Sequence, residues 1–228
     1  MLQIDLYTEI ICPWCFVGLH RLDKVLQERY PELVTDIHHH PVLLLPDAPA
    51  VGLYIPDLLR ARYGVTVPKS AFARPEAEAR ASGFDLDLGR QLYAYPTQAA
   101  HAIILAARER GTQHQLAMAI TDAYFIAARN IADADVLADV AAAHGFSRDE
   151  ALAIALDSSQ HKRIEREAAN SAAAGVRSVP HFVFENRLAI NGGRSEDEIA
   201  HSIKEAVHAA MGGKLNAAWL STSHGRPR

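Results

Sequence analysis

Cys12-Pro13-Trp14-Cys15 holds the only two cysteines of this 228-residue chain, and it stands where a strand pattern gives way to a helical one. Before it, Leu2, Ile4 and Leu6 alternate with Gln3, Asp5 and Tyr7, the period of a half-buried strand. After it, Leu19, Leu22, Val25, Leu26 and Tyr30 keep a helical period until Pro31 forbids continuation. A strand that feeds a helix through Cys-x-x-Cys puts its first cysteine at the helix N-terminus, where backbone N–H groups are unsatisfied and the dipole is positive. A thiolate is stabilised there, which can bring a thiol pKa from ~8.5 into the range of roughly 3.5–7.5. Cys12 is therefore the expected nucleophile and leaving group. Cys15, one turn later on the same face, is the thiol that closes or resolves a disulfide. Pro13 suits the first helical turn, where its missing N–H costs nothing. Trp14 shapes the rim over Cys12 and offers apolar contact to a partner.

Cys-x-x-Cys is also half of a metal knuckle. No second pair completes it, so further ligands would be histidines, with His38-His39-His40 the evident source. Consecutive residues of an extended segment point to alternate faces, so at most two of these three could converge. No metal is expected at the cysteines, and a metal-binding stress protein is the non-enzymatic alternative. The net charge of -4 and the lack of a basic stripe argue against a nucleic-acid or anionic-membrane surface. No stretch approaches the ~18 apolar residues of a membrane span. Met1-Leu2-Gln3-Ile4-Asp5 has neither a charged n-region nor a cleavage site. A soluble, cytoplasmic protein is expected, and in a reducing compartment a vicinal cysteine pair is catalytic more often than structural.

Hydrophobic residues make up 49% of the chain, enough for one large domain or a domain carrying an insertion. Val34 to Leu45 reads as a second strand, which gives a strand–helix–strand unit with a right-handed crossover if the strands are parallel. Pro46, Pro49, Gly52 and Pro56 then mark a loop. From about 57 to 171 the pattern is helical and alanine-rich, in segments 57–63, 75–82, 97–110, 113–130, 133–144, 147–156 and 159–174. Ser147 and Glu150 form a capping box, and Gly175 supplies a helix stop. His181–Phe184 and Leu188–Ile190 flank a turn at Glu185-Asn186 as a hairpin, and Ser195 with Glu198 opens a helix running to about Met211. The tail 212–228 is polar, with Trp219 and Leu220 able to dock. The expected class is α/β, with a first part over 1–56, a helical insertion over 57–171 and a completing part over 172–211.

Cys12-Pro13-Trp14-Cys15, the helical insertion and Val179-Pro180 before the hairpin together resemble the DsbA family, specifically its cytosolic FrnE-like branch. Tyr124-Phe125, Arg129-Asn130-Ile131, and Thr97 with His101 are further echoes, and the likeness runs from Leu2 to about Met211. The resemblance implies a thioredoxin-like fold interrupted by an all-helical insertion, and a thiol–disulfide oxidoreductase. It also implies a cis peptide at Pro180 beside the cysteines. The Val179 backbone then forms an open edge, on which an extended peptide or glutathione could lay its sulfur over Cys12. No cofactor is implied; the substrates are protein or small-molecule thiols and disulfides, with glutathione or another dithiol as electron partner.

Several positions depart from the family pattern. Thioredoxins carry a buried acid six residues before the first cysteine, where this chain has Leu6; Glu9 is the nearest acid and a candidate for proton transfer, or else a solvated loop carboxylate. His181 follows Pro180 and could stabilise a thiolate as imidazolium. Pro96 stands where the family has asparagine, which bears on any binding role of Thr97 and His101. The alternative enzyme is a glutathione-dependent isomerase or transferase of the 2-hydroxychromene-2-carboxylate isomerase and kappa type. Those relatives typically place serine at the first cysteine. A helical insertion can bury a homodimer interface, and alanine-rich helices are equally often plain core.

Overall fold

Leu2, Ile4 and Leu6 are fully buried on one face of strand β1 (Leu2–Thr8), and the rest of the sheet is assembled around that face. The computed structural model describes residues 1–210; the tail 212–228, with Trp219 and Leu220, lies outside the described residues. β1 pairs in parallel with β2 (Thr35–Pro41) and antiparallel with β5 (His181–Phe184), which pairs antiparallel with β6 (Leu188–Asn191). The order is β2-β1-β5-β6, so the first strand of the chain sits inside the sheet. Glu185 and Asn186 both take positive φ in the turn between β5 and β6, as a tight hairpin requires.

Helix α1 (Pro13–Arg29) and helix α9 (Glu196–Ala210) cover the apolar face of the sheet, where Leu19, Leu22, Phe182, Phe184, Ile199 and Ile203 form one core. Between β2 and β5 lies the helical insertion: α2 (Ile55–Tyr63), α3 (Pro68–Ala81), α4 (Gln98–Ala106), α5 (Gln113–Phe125), α6 (Ala134–Ala142), α7 (Arg148–Leu156) and α8 (Ser158–Ala173). Its core is built on Ile103, Leu116, Ile120, Tyr124 and Leu137, and it also takes in Ile10, Phe16 and Val17. One side of α1 thus faces the sheet core and the other the insertion core. The cysteine motif stands at the seam. This is a thioredoxin-like fold with a helical insertion.

Some boundaries differ from the sequence expectation. β2 stops at Pro41, because Val42–Leu45 leaves the ladder after the Val42 N–H meets Thr8 C=O and turns over the motif. Part of the expected loop over 46–56 forms a short strand β3 (Leu53–Tyr54), paired with β4 (Tyr93–Ala94). The helix expected from 75 starts at Pro68, and Pro75 sits inside it, buried against the core. The helix over 113–130 ends at Phe125, before Ala128 takes a positive φ. A 3-10 turn over 107–110 follows α4.

Arg21 was not singled out by pattern, yet it lies 3% exposed on α1. Its Nε donates to Ser82 Oγ, Nη1 to the carbonyls of Gly193 and Arg194, and Nη2 to the Glu78 carbonyl and carboxylate. One side chain therefore ties α1 to α3 and to the loop before α9. Removing a buried charge that satisfies several polar groups leaves them unpaired. Arg21→Leu should lower stability by about 2–4 kcal/mol in a urea titration.

Candidate active site

Cys12 is the N-cap of α1 in extended conformation, and its carbonyl accepts from the N–H groups of Cys15 (2.9 Å) and Phe16 (3.2 Å). Cys12 is 7% exposed and Cys15 fully buried, and the two sulfurs are unbonded. The Cys15 S–H directed at Cys12 holds the Cys12 thiol below its ordinary pKa, against the opposing pull of burial. The backbone N–H groups of Cys15 and Trp14 act in the same direction. Burial, with the thiol partner, pushes Cys15 well up. One thiol is disposed to ionise and attack, and the other to wait protonated behind it.

Glu9 is no solvated loop carboxylate: it is 1% exposed. Its Oε1 accepts from the Ile10 N–H at 2.7 Å, and Oε2 from the Leu44 N–H at 2.9 Å. The Glu9 N–H points at Cys15 Sγ, 3.5 Å away. The departure of Val42–Leu45 from β2 is what delivers that Leu44 N–H. His101 on α4 brings Nε2 to 3.4 Å from Glu9 Oε1, off-line for a hydrogen bond, and this nitrogen has no partner among the described residues. The Glu9 charge raises the pKa of both thiols. Removing it favours the thiolate, so Glu9→Gln should shift the pH profile of Cys12 alkylation to lower pH; an upward or absent shift would overturn this account.

The Val179–Pro180 peptide is cis. Pro180 packs on Gly18 of α1, where a Cβ would stand 2.8 Å from Pro180 Cγ and 3.1 Å from Phe182 Cζ. The Val179 N–H and C=O make no backbone hydrogen bond among the described residues. Trp14 separates two cavities. A cavity of about 280 Å³, lined by Cys12, Leu44, Leu58, Phe72 and Tyr124, is mostly apolar. A more polar one of about 500 Å³ runs along Val179, Arg74, Gly193, Arg194 and Ser195. The Trp14 ring is held by Arg74, whose Cζ lies 5.2 Å from its centroid, and by Gly193, where a Cβ would come within 2.5 Å of Cε3.

Other expected residues are not gathered here. His181 points to the sheet face opposite α1, beside Tyr7 (5.4 Å between ring centroids) and hydrogen-bonded to Asn191. Its neighbour Phe182 fills the core under α1, so His181 faces away from the helix that carries the cysteines, which corrects the expectation of an imidazolium at the sulfurs. Thr97 is buried at the N-cap of α4, its carbonyl accepting the His101 N–H at 2.9 Å, and it lines neither cavity. The one group of three metal donors found among the described residues, Asp5, His38 and His40, does not include the cysteines.

The fold and the dithiol at the start of α1 define the class: a thioredoxin-like protein with an inserted helical domain. A model of the DSBA-like thioredoxin domain matches residues 3–204, and the chain belongs to that family. Among solved structures it is similar to a probable DsbA oxidoreductase from Streptomyces coelicolor, with TM-score 0.80 and 21% identity over 95% of this chain and 92% of that one. It is also similar to the cytosolic disulfide reductase DsbM from Pseudomonas aeruginosa, solved with GSH (TM-score 0.64, 17% identity, 90% and 99% covered). A 2-hydroxychromene-2-carboxylate isomerase shares the fold at TM-score 0.67 and 12% identity, with 93% and 100% covered. No curated protein sequence matches the chain. Among the described residues no helix is long and apolar enough to cross a membrane.

Proposed function

We propose that the protein is a cytosolic thiol–disulfide oxidoreductase of the FrnE-like kind, with Cys12 as nucleophile and Cys15 as resolving thiol. The observation that carries this reading is the placement of the dithiol: Cys12 caps α1 at the wall of a cavity and Cys15 is fully buried behind it, with Cys12 displaced toward thiolate and Cys15 toward thiol. The Cys12 thiolate attacks one sulfur of a substrate disulfide and expels the other as thiolate, leaving a mixed disulfide. Cys15 then loses its proton and attacks Cys12 Sγ, which releases the second substrate thiol and closes Cys12–Cys15. Two electrons pass to the substrate. Two glutathione thiols, oxidised to the disulfide, return the enzyme to the dithiol. Buried Glu9, whose backbone N–H lies on Cys15 Sγ, is the carboxylate this reading assigns to take that proton.

The unpaired Val179 backbone suits an extended thiol peptide, and the adjoining cavity puts the guanidinium groups of Arg74 and Arg194 within reach of glutathione's carboxylates. Equilibration in graded glutathione buffers, with free thiols counted by alkylation and mass, tests the reading. A reversible two-electron transition between roughly −270 and −120 mV is expected. If no Cys12–Cys15 disulfide forms in that range, the redox reading falls.

The apolar cavity beside Cys12 favours a second reading, glutathione-dependent isomerisation of a small hydrophobic substrate. Such a reaction needs no resolving thiol. Full activity in Cys15→Ser would select it.

A further inference from the structure

The face of the sheet turned away from α1 carries a cluster that the redox chemistry does not use. In the parallel register Asp5 lies opposite His38 and Tyr7 opposite His40, so Asp5, His38 and His40 project from one face. His39 points the other way, buried with its Nε2 2.8 Å from His114 Nδ1. Two of the three consecutive histidines therefore converge, and Asp5 is the third donor. His40 Nε2 lies 2.7 Å and His38 Nδ1 3.8 Å from the same oxygen, Asp5 Oδ1, and the three donor atoms fall within 4.8 Å of one another. Atoms bound tetrahedrally to one metal at about 2.0–2.2 Å stand ~3.3–3.6 Å apart, so side-chain shifts of up to about an ångström bring all three onto one ion.

From this geometry we propose that Asp5, His38 and His40 form a binding site for a divalent first-row transition metal, with zinc as its representative. Two imidazoles and a carboxylate suit that class and not magnesium or calcium, which take oxygen ligands. Two of the donors have a hydrogen-bonded outer partner, as metal ligands do, and the third is fixed by stacking. Asp36 Oδ2 lies 2.9 Å from His38 Nε2, and in the tautomer that donates Nε2–H to this carboxylate the Nδ1 lone pair faces Asp5. Arg108 clamps Asp36 at 2.7 and 2.9 Å and also touches His38 Nε2 on the outer edge of the ring, so its charge is paired on the side away from the site. Gln3 Nε2 donates to Asp5 Oδ2 at 2.9 Å. The Tyr7 ring stacks on His40, 4.5 Å between centroids and 17° between planes. Two paired strands carry all three donors, so the site is preorganised by backbone hydrogen bonds.

The test is a zinc titration of the full chain carrying Cys12→Ser and Cys15→Ser, which removes the thiols as competing ligands, against a chromophoric chelator. One zinc per chain is expected. His38→Ala and His40→Ala should each weaken zinc at least about tenfold, and Asp36→Asn about tenfold, since loss of an outer partner typically costs 10–100-fold. His201→Ala, at an exposed position of α9, should change nothing. Circular dichroism checks that each variant is folded, and the half-exposed His38 and His40 are safe to truncate where Asp5 is not. No competition for zinc by the parent, or undiminished zinc in the folded His38→Ala/His40→Ala double variant, overturns the site.

Discussion

With Cys15 replaced by alanine, turnover on a disulfide substrate should fall by at least about 10³-fold while Cys12 stays alkylable, because the reaction then halts at the mixed disulfide. Mass spectrometry of the arrested protein should find the substrate joined to Cys12. Cys12→Ala should lose turnover to the same extent and trap nothing, since buried Cys15 is held as thiol and cannot initiate attack. The pair of outcomes assigns the roles. Adduct on Cys15 in the Cys12 variant, at a rate close to that of Cys12 in the Cys15 variant, would falsify the assignment.

Gly18→Ala should act on both stability and thiol exchange, through packing. Alanine in place of a helical glycine ordinarily gains up to about 1 kcal/mol. Here the new Cβ meets Pro180 Cγ at 2.8 Å and Phe182 Cζ at 3.1 Å. The proline ring is stiff and Phe182 is fully buried, so neither yields by simple rotation. Overpacking of a tight core costs about 1–3 kcal/mol, which outweighs the helical gain. The net expectation is a loss of about 1–2 kcal/mol in denaturant, together with slower mixed-disulfide formation as Val179-Pro180 is displaced from α1. A variant with raised stability and unaltered thiol exchange would show that the contact between Gly18 and Pro180 positions nothing.

Much of the frame was legible because it is written in local period. The alternation of β1, the helical spacing after Cys15 and the hairpin at Glu185-Asn186 all stand where pattern put them. So do the capping residues: Ser147 accepts from the Glu150 N–H, and Ser195 and Glu198 bond reciprocally. What pattern could not show depends on residues remote in sequence. Val42–Leu45 is as apolar as a strand, but its Leu44 N–H is drawn off the sheet by the Glu9 carboxylate. Glu9 for its part looks like a loop acid until Leu44, Ile10 and α4 close over it. His181 was misplaced for a local reason: its neighbour Phe182 fills the core, so strand alternation turns His181 to the other face.

The position of β1 inside the sheet has a consequence for synthesis. Gln3 and Glu185, 182 positions apart, are joined by a hydrogen bond, and β1 gains its antiparallel neighbour only when β5 is available. During translation the first strand and its cysteines therefore leave the ribosome long before their partner does. The insertion helices, rich in short-range contacts, can condense in the interval, and Phe16 and Val17 give α1 a surface on which to wait. A nascent chain stalled before His181 should carry a protease-resistant helical body and a labile N-terminal strand. Synthesis on through β5, β6 and α9 would then protect both together.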